Sequence, residues 1–204
     1  MKSGKTAAEV PAEPEAGRRP CTAFVGVRRI ASGDLKDVTP KAKRVVDSGT
    51  AAPVLIFDDV TGEVIEVDFR GTPADVLTTL SEPAPRRPGR PRLGVVAREV
   101  TLLPRHWDWL GSQPGGASVA LRKLVEEARR AYAGRDRVRQ AQDAAYRFMT
   151  TMAGDAPGFE EALRALFSGK LDDFEKRTAA WPAGVREQAK KLAAGAFRRE
   201  GTVK

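Results

Sequence analysis

The chain has 204 residues, of which 41% are hydrophobic, a formal net charge of +8 and a single cysteine. One cysteine excludes an internal disulfide framework and a cysteine-rich zinc site, and the positive charge favours anionic partners. The N-terminus has no apolar signal region, and no apolar stretch approaches the length of about eighteen residues that a membrane span needs. The sequence therefore predicts a cytoplasmic protein without membrane contact.

Residues 1–20 consist mainly of Ala, Pro, Glu and basic residues, with almost nothing to bury, which predicts a disordered tail. From Cys21 the composition changes, and residues 21–80 predict a small α+β domain. Its first segment, TAFVGVRRI, is typical of a strand. The segment after it carries turn signals and predicts a short helix that ends near Ser48 and Gly49.

A β-hairpin is predicted next, in the segment APVLIFDDVTGEVIEVDFRG. Its first strand, residues 54–57, is continuously apolar, Thr61 and Gly62 supply the turn, and its second strand alternates apolar with acidic residues. A helix is then expected to begin at Pro73, with Thr72 as its cap. The alternating residues of the second strand are Ile65, Glu66, Val67, Asp68 and Phe69.

The rest of the chain predicts a linker followed by helices. Residues 81–94 hold four prolines and four arginines and indicate a basic linker. Residues 95–134 predict a strand, a short helix, a Gly-Gly turn and a longer helix, and residues 135–204 predict a helical bundle from apolar spacings of three and four. The fold class is therefore α+β, with a small N-terminal sheet and a helical C-terminal region. The residues expected to form the bundle's apolar stripes include Phe148, Phe159, Leu163, Phe167, Leu171, Phe174, Trp181 and Phe197.

No constellation in the sequence favours catalysis, a cofactor, a metal ion or a small-molecule substrate. The single histidine, His106, lacks the cysteines or clustered carboxylates that would complete a zinc site. A triad drawn from His106, Asp108 and Ser118 has no nucleophile elbow, and residues two apart diverge on a helix. Cys21 has apolar neighbours, which indicate a buried thiol. We therefore expect that the protein is not an enzyme.

Five carboxylates crowd the predicted hairpin, where such a cluster could bind a hard cation. They do not follow the calcium-loop pattern, so we expect a solvated hairpin tip without metal. These residues are Asp58, Asp59, Glu63, Glu66 and Asp68.

Five arginines lie within thirteen residues of the linker and the predicted strand after it, with no acidic residue among them. Prolines keep such a segment extended, which suits the narrow and negative minor groove of DNA. A solvated linker that is basic without binding anything is the other interpretation. The arginines are Arg86, Arg87, Arg90, Arg92 and Arg98.

The string RPGRPR at residues 87–92 resembles the AT-hook, whose core is Arg-Gly-Arg-Pro. Gly89, Arg90 and Pro91 match that core, whereas Pro88 stands where its first arginine should be. The resemblance implies binding in the minor groove. Gly89 would let the backbone approach the DNA there, because it adds no side chain that would hold a surface away.

The segment VVAREVTLLPRHWDWLGSQPGGASVALRKLVEEARR resembles the ribbon-helix-helix fold of small bacterial repressors. The resemblance implies that strand 95–103 pairs with the same strand of a second chain and enters the major groove. It also implies that Ser118 caps the second helix and forms an anion site there. The apolar residues of the two helices would be Trp107, Leu110, Leu121, Leu124, Val125 and Ala128.

The predicted strand departs from that fold, because two of its outward residues, Val100 and Leu102, are apolar where residues that read DNA are polar. Pairing of this strand with a partner protein is therefore equally compatible with the sequence, and so is an ordinary helical hairpin with an edge strand.

The order of segments from Cys21 to Phe197, including the unusual string REVTLLPRHWDWL, is similar to the uncharacterised bacterial family called domain of unknown function 2239. This resemblance implies a soluble bacterial protein and supplies no activity.

Together these features favour a DNA-binding protein, with transcriptional regulation as its candidate role and a homodimer formed through residues 95–103. The alternative is a protein-interaction module that pairs through the same strand without nucleic acid, and an enzyme without metal comes last. The predicted DNA-binding residues are Arg86, Arg87, Gly89, Arg90, Arg92, Arg98 and Ser118.

Overall fold

A computed structural model describes residues 19–72, 74–76, 78 and 98–197. Within these residues an N-terminal antiparallel sheet of three strands is followed by helices, which confirms the predicted α+β class. The strands are β1 (Pro20–Val25), β2 (Arg28–Asp34) and β3 (Val54–Asp58), in the order β2-β1-β3. The helices are α1 (Leu35–Asp47), α2 (Pro104–Ser112), α3 (Gly116–Ala153), α4 (Phe159–Phe167), α5 (Leu171–Thr178) and α6 (Ala183–Ala193).

The segment TAFVGVRRI, predicted as a single strand, is a hairpin of β1 and β2. Gly26 adopts a φ of +53° at the reversal, a conformation that glycine accepts without steric cost. β1 then pairs with β2 on one side and with β3 on the other, so it is the central strand of the sheet. The prediction was wrong here because one glycine inside a segment of β-prone residues is a weak turn signal.

β3 confirms the predicted first strand of the second hairpin, but the predicted second strand is reduced to one bridge. Val64 pairs with Phe57, and the amide of Ile65 donates to the carbonyl of Ile56 at 2.7 Å, after which residues 65–70 leave the sheet. The alternation still decides burial, since Ile65 is buried and Val67 and Phe69 are half-buried. The alternating pattern therefore predicted correctly which side chains are buried, although the segment does not form a strand paired along its length.

Two helix ends in this region lie where local signals in the sequence predicted them, and Asp34 supplies a cap that the sequence analysis did not name. Asp34 caps α1 by accepting a hydrogen bond from the amide of Lys36 at 3.1 Å, and α1 ends at Ser48 and Gly49 as expected. Helical residues follow Thr72, whose hydroxyl accepts from the amide of Asp75 at 3.3 Å. Thr72 therefore caps these helical residues, as the sequence predicted.

The sheet is covered on both faces. On one side α1 packs on a cluster that includes Cys21, Ala23 and Ile56. On the other side Phe24 and Phe57 pack against helices α3 to α6 in a single larger cluster. β1 is consequently buried from Cys21 to Val25, because its alternate residues enter two different cores.

The larger cluster contains six of the eight aromatic and leucine residues predicted for the helical bundle. Phe148, Phe174 and Trp181 are buried in it, and Phe159, Leu163 and Phe197 pack at its edge. The indole nitrogen of Trp181 donates to the carbonyl of Pro157 at 3.0 Å, which satisfies its polar group inside the core. Two expected stripe members are exposed instead, Phe167 and Leu171, because they lie at the end of α4 and the start of α5.

The turn between β3 and the following segment rests directly on α3. Gly62 has a φ of +69°, and a Cβ atom there would lie 2.0 Å from the carbonyl oxygen of Ala144. A backbone atom cannot move aside as a flexible side chain can. The glycine of the predicted turn is therefore also required by tertiary packing.

We expect Gly62→Ala to lower the free energy of unfolding by about 3 kcal/mol or more, since it combines left-handed strain with overpacking. Gly49→Ala is the matched control, because Gly49 has a φ of +76° but open space around it. It should cost only about 1–2 kcal/mol. Urea unfolding measures both, and equal losses would contradict the proposed contact.

Candidate nucleic-acid interface

Helix α2 and the first half of α3 form a helical hairpin, called here the helical arm (residues 104–136). Gly115 and Gly116 make its turn, with φ values of +86° and +74°. Leu110 and Ala120 are the only buried residues in the described stretch 98–143. Contact with the rest of the protein resumes near Gln142, whose side-chain amide donates to the carbonyl of Leu166 at 3.3 Å. The arm therefore projects from the body.

Helix α3 is longer than the sequence indicated. It runs for 38 residues, without a break at Gly134, and so crosses the position 134/135 at which the sequence suggested a boundary. Its C-terminal part holds Phe148 and Met149 in the main core, while its N-terminal part belongs to the arm. One helix thus connects the candidate interface to the folded body.

The predicted strand is not found in the described part of residues 95–103. Residues 98–103 carry no strand, and residues 95–97 lie outside the description. Leu102 instead lines a cavity of about 280 Å³ with residues of α2 and α3, including His106 and Leu121. The segment leads directly into α2 and packs on the arm, so the ribbon-helix-helix character is not confirmed.

Ser118 does not cap α3. The helix begins two residues earlier, after the left-handed Gly115, and Ser118 is an exposed residue of its first turn. Its carbonyl accepts a hydrogen bond from Nε of Arg122 at 3.1 Å. The glycine pair, and not a serine cap, therefore provides the start of the helix.

Only one residue of the predicted arginine string lies in the described part of the chain. Arg98 is exposed, whereas Arg86, Arg87, Gly89, Arg90 and Arg92 lie outside the described residues.

The structure adds a second basic region, on α3, that the sequence analysis did not single out. Its arginines alternate with glutamates, as they do on an ordinary solvated helix. The spacing of seven between Arg122 and Arg129, and between Arg130 and Arg137, was the available signal.

Ion pairs neutralise part of the basic stretch of α3, residues 122–139. Arg129 pairs with Glu126 at 2.9 Å, and Arg139 pairs with Asp136 at 2.8 Å, both one helical turn apart and exposed. Arg135 stacks 4.3 Å from the ring centre of Tyr132. The other basic residues of α3 in this region have no acidic partner among the described residues: Arg122, Lys123, Arg130 and Arg137.

Two carboxylates of the predicted solvated hairpin tip have a different role. The Asp59 carboxylate accepts from Oγ1 of Thr22 at 2.9 Å, Nε2 of Gln188 at 2.6 Å and Nζ of Lys191 at 2.8 Å. Asp58 is buried and accepts from Nε of Arg19 at 2.9 Å. Both therefore tie the sheet to other segments, and the expectation of a solvated tip was wrong for them.

The remaining hairpin carboxylates, Glu63, Glu66 and Asp68, are exposed as expected. In the described residues no group of three or more His, Cys, Asp or Glu side chains could hold a metal ion.

The Cys21 thiol is buried, as the sequence predicted. Burial raises its pKa to about 12, and the nearby carboxylates of Asp59, Asp34 and Asp58 add to that rise. The thiol is consequently protonated at neutral pH and carries little nucleophilic character.

The family assignment follows from a match over residues 20–193 to a bacterial family described as "Uncharacterized protein conserved in bacteria (DUF2239)". The chain belongs to the DUF2239 family. The matched residues include both the sheet and the helical arm of this DUF2239 protein. No curated protein and no solved structure matches the chain. No helix in the described ranges of this DUF2239 protein is long and apolar enough to cross a membrane.

Asp58 makes the stability of this DUF2239 protein sensitive to acid. Burial alone would raise its pKa, but hydrogen bonds from Arg19 and from the amides of Thr61 and Val60 hold it below the ordinary 3.8. A carboxylate with a lowered pKa stabilises the fold above its unfolded value and loses that contribution as the pH falls through its folded value. Asp58→Asn should therefore be less stable than wild type at pH 7, with the difference shrinking below about pH 4.

Urea unfolding at neutral and at acidic pH measures this difference. Glu66→Gln, which removes an exposed hairpin carboxylate, is the control. A gap between Asp58→Asn and wild type that is constant with pH would show that the charge of Asp58 is not responsible.

We also expect Cys21 to resist a maleimide reagent in the native protein and to react on addition of denaturant, because its thiol is both buried and protonated. Mass spectrometry of the labelled chain measures this. Fast labelling of the folded protein would contradict the burial of the central strand.

Proposed function

We propose that this protein binds DNA through residues 86–139, with transcriptional regulation as its candidate role. The observation that carries the proposal is the distribution of charge. Residues 86–139 contain thirteen arginines and lysines and five aspartates and glutamates, a net charge of +8, and this equals the net charge of the whole chain. The remainder of the protein is therefore electrically balanced, and its positive field originates in one segment.

The exposure of the arm supports a role in binding. The basic residues from Arg122 to Arg139 lie on one helix, over a length of about 25 Å at 1.5 Å per residue. Over that length double-stranded DNA presents many phosphates, because it carries one charge per about 1.7 Å of its axis. A helix of this kind can lie in the major groove or along the backbone.

The arginine string before Arg98 would contribute a second contact. Its Gly89-Arg90-Pro91 core is compatible with a minor groove, where a narrow A·T-rich stretch concentrates negative potential. In this proposal the string reads groove width and the arm neutralises phosphates. Arg98 is the last arginine of the string and precedes the arm in the sequence.

One specific observation favours a second candidate function, a protein-interaction module without nucleic acid. The arm exposes the large apolar side chains of Trp109, Leu124, Val125 and Tyr132. Exposed apolar surface of this kind commonly marks a protein interface. Since residues 98–103 form no strand, such an interface would lie on the arm.

The salt dependence of DNA binding tests the proposal. Fluorescence anisotropy of the full chain with A·T-rich and G·C-rich duplexes should give a log-log slope of about −0.9 per phosphate neutralised. Arg90→Ala with Arg92→Ala should flatten this slope by about two phosphates and reduce the preference for A·T. Arg122→Ala with Arg130→Ala should flatten it by a similar amount on both duplexes.

Lys36→Ala with Lys41→Ala is the matched control, because it removes the same charge from the exposed surface of α1. Its slope should stay close to that of wild type. Equal effects from all three double variants would show that only net charge matters, and absence of binding to either duplex at low salt would favour the protein-interaction module.

A further inference from the structure

We propose that the helical arm pairs with the arm of a second copy of this chain. The surface involved is called here the apolar face and consists of Trp109 of α2 with Leu121, Leu124, Val125, Ala128 and Tyr132 of α3. This pairing does not depend on nucleic acid, and it differs from the strand pairing predicted from residues 95–103.

The spacing of these residues places them on one side of α3. Leu121, Leu124 and Ala128 follow each other at intervals of three and four, and Val125 and Tyr132 are seven apart, so the row extends over about three turns. Trp109 and Leu124 line the same cavity, which joins α2 to this row. The result is one continuous surface.

Most of this surface is open to solvent. The exposed fractions are 51% for Trp109, 43% for Leu124, 54% for Val125 and 47% for Tyr132. Helices in water gain most of their stability from packing an apolar face, and short helices without it are marginal. The arm buries only Leu110 and Ala120, so its packing within one chain is incomplete.

The size of the apolar face fits a second copy. At the usual area of large side chains, the four exposed residues present roughly 400 Å² of apolar surface. A stable interface buries about 800 Å² per partner, of which roughly 60% is apolar. The face therefore supplies most of the apolar area that one side of a dimer needs.

In a dimer with a twofold axis the apolar face of one copy meets the same face of the other, so no second complementary surface is required. With α3 helices antiparallel and the axis near Val125, a rise of 1.5 Å per residue sets Leu121 about level with Ala128 of the second copy. Leu124 then lies beside Val125 of the second copy. Leu121 thus meets the small side chain of Ala128, and Leu124 and Val125 meet as two branched aliphatic side chains at the centre of the row.

Charge opposes this pairing only weakly. Residues 98–139 carry nine arginines and lysines against five acidic residues, a net charge of +4, so two arms repel each other. The charges lie beside the apolar face and stay hydrated, where physiological salt screens them beyond about 8 Å. Added salt should therefore strengthen the dimer, whereas it weakens DNA binding.

The mass of the full-length protein in solution tests the pairing. Sedimentation equilibrium without nucleic acid should give twice the chain mass of 22.1 kDa at micromolar concentration. Leu124→Glu with Val125→Glu should weaken dimerisation by about 100-fold or more, because it places charge at the centre of the interface. Val60→Glu, at a valine exposed to 66% on the turn after β3, is the matched control and should remain a dimer.

Circular dichroism checks that each variant keeps its helices, and Val125→Ser with Tyr132→Ser replaces the glutamate pair if that pair unfolds. A wild-type protein that is monomeric at every concentration would overturn the proposal. So would a dimer that persists in a folded variant of the apolar face. Arg122→Ala with Arg130→Ala should not weaken the dimer, which separates this test from that of DNA binding.

Discussion

The packing of Phe148 against Phe24 and Phe57 is the contact on which the rest of the structure depends. The ring centres lie 5.6 Å and 4.9 Å apart, and all three side chains are fully buried. A three-stranded sheet that is apolar on both faces must be covered twice. Helix α1 covers one face from within the N-terminal segment, and among the described residues helices α3 to α6 cover the other. The N-terminal sheet and the C-terminal helices consequently share one core.

The polar contacts at this junction follow from the same constraint. Asp59 directly follows β3, where α6 packs over the sheet, and its buried carboxylate needs partners to compensate for lost hydration. Thr22, Gln188 and Lys191 provide them, from a strand and a helix that are far apart in the chain. These hydrogen bonds fix how the last helix lies on the sheet, whereas the aromatic cluster supplies apolar packing at the junction.

The helical arm, unlike the core, is not stabilised by extensive packing against other elements. Its helix is anchored at one end by Phe148 and Met149 in the core, and the other end extends into solvent with little packing of its own. The exposed basic and apolar side chains of the arm are therefore available to bind a partner. Basic residues attract anionic partners over about a Debye length, whereas the apolar face contributes only when it is in contact with another surface. The two proposed interactions of the arm therefore differ in range.

The sequence by itself determined the α+β class, the C-terminal end of α1, the helix cap at Thr72, the apolar strand β3 and the core positions Phe148, Phe174 and Trp181. Those features depend on periodicity and on hydrogen bonds between near neighbours, which a single stretch of sequence contains. Only the tertiary structure decided that Asp58 and Asp59 are tied into the fold, that residues 98–103 form no strand and that α3 passes through Gly134. Each of these depends on which distant segment lies alongside, because a carboxylate is buried, and a strand exists, only where another part of the chain supplies partners.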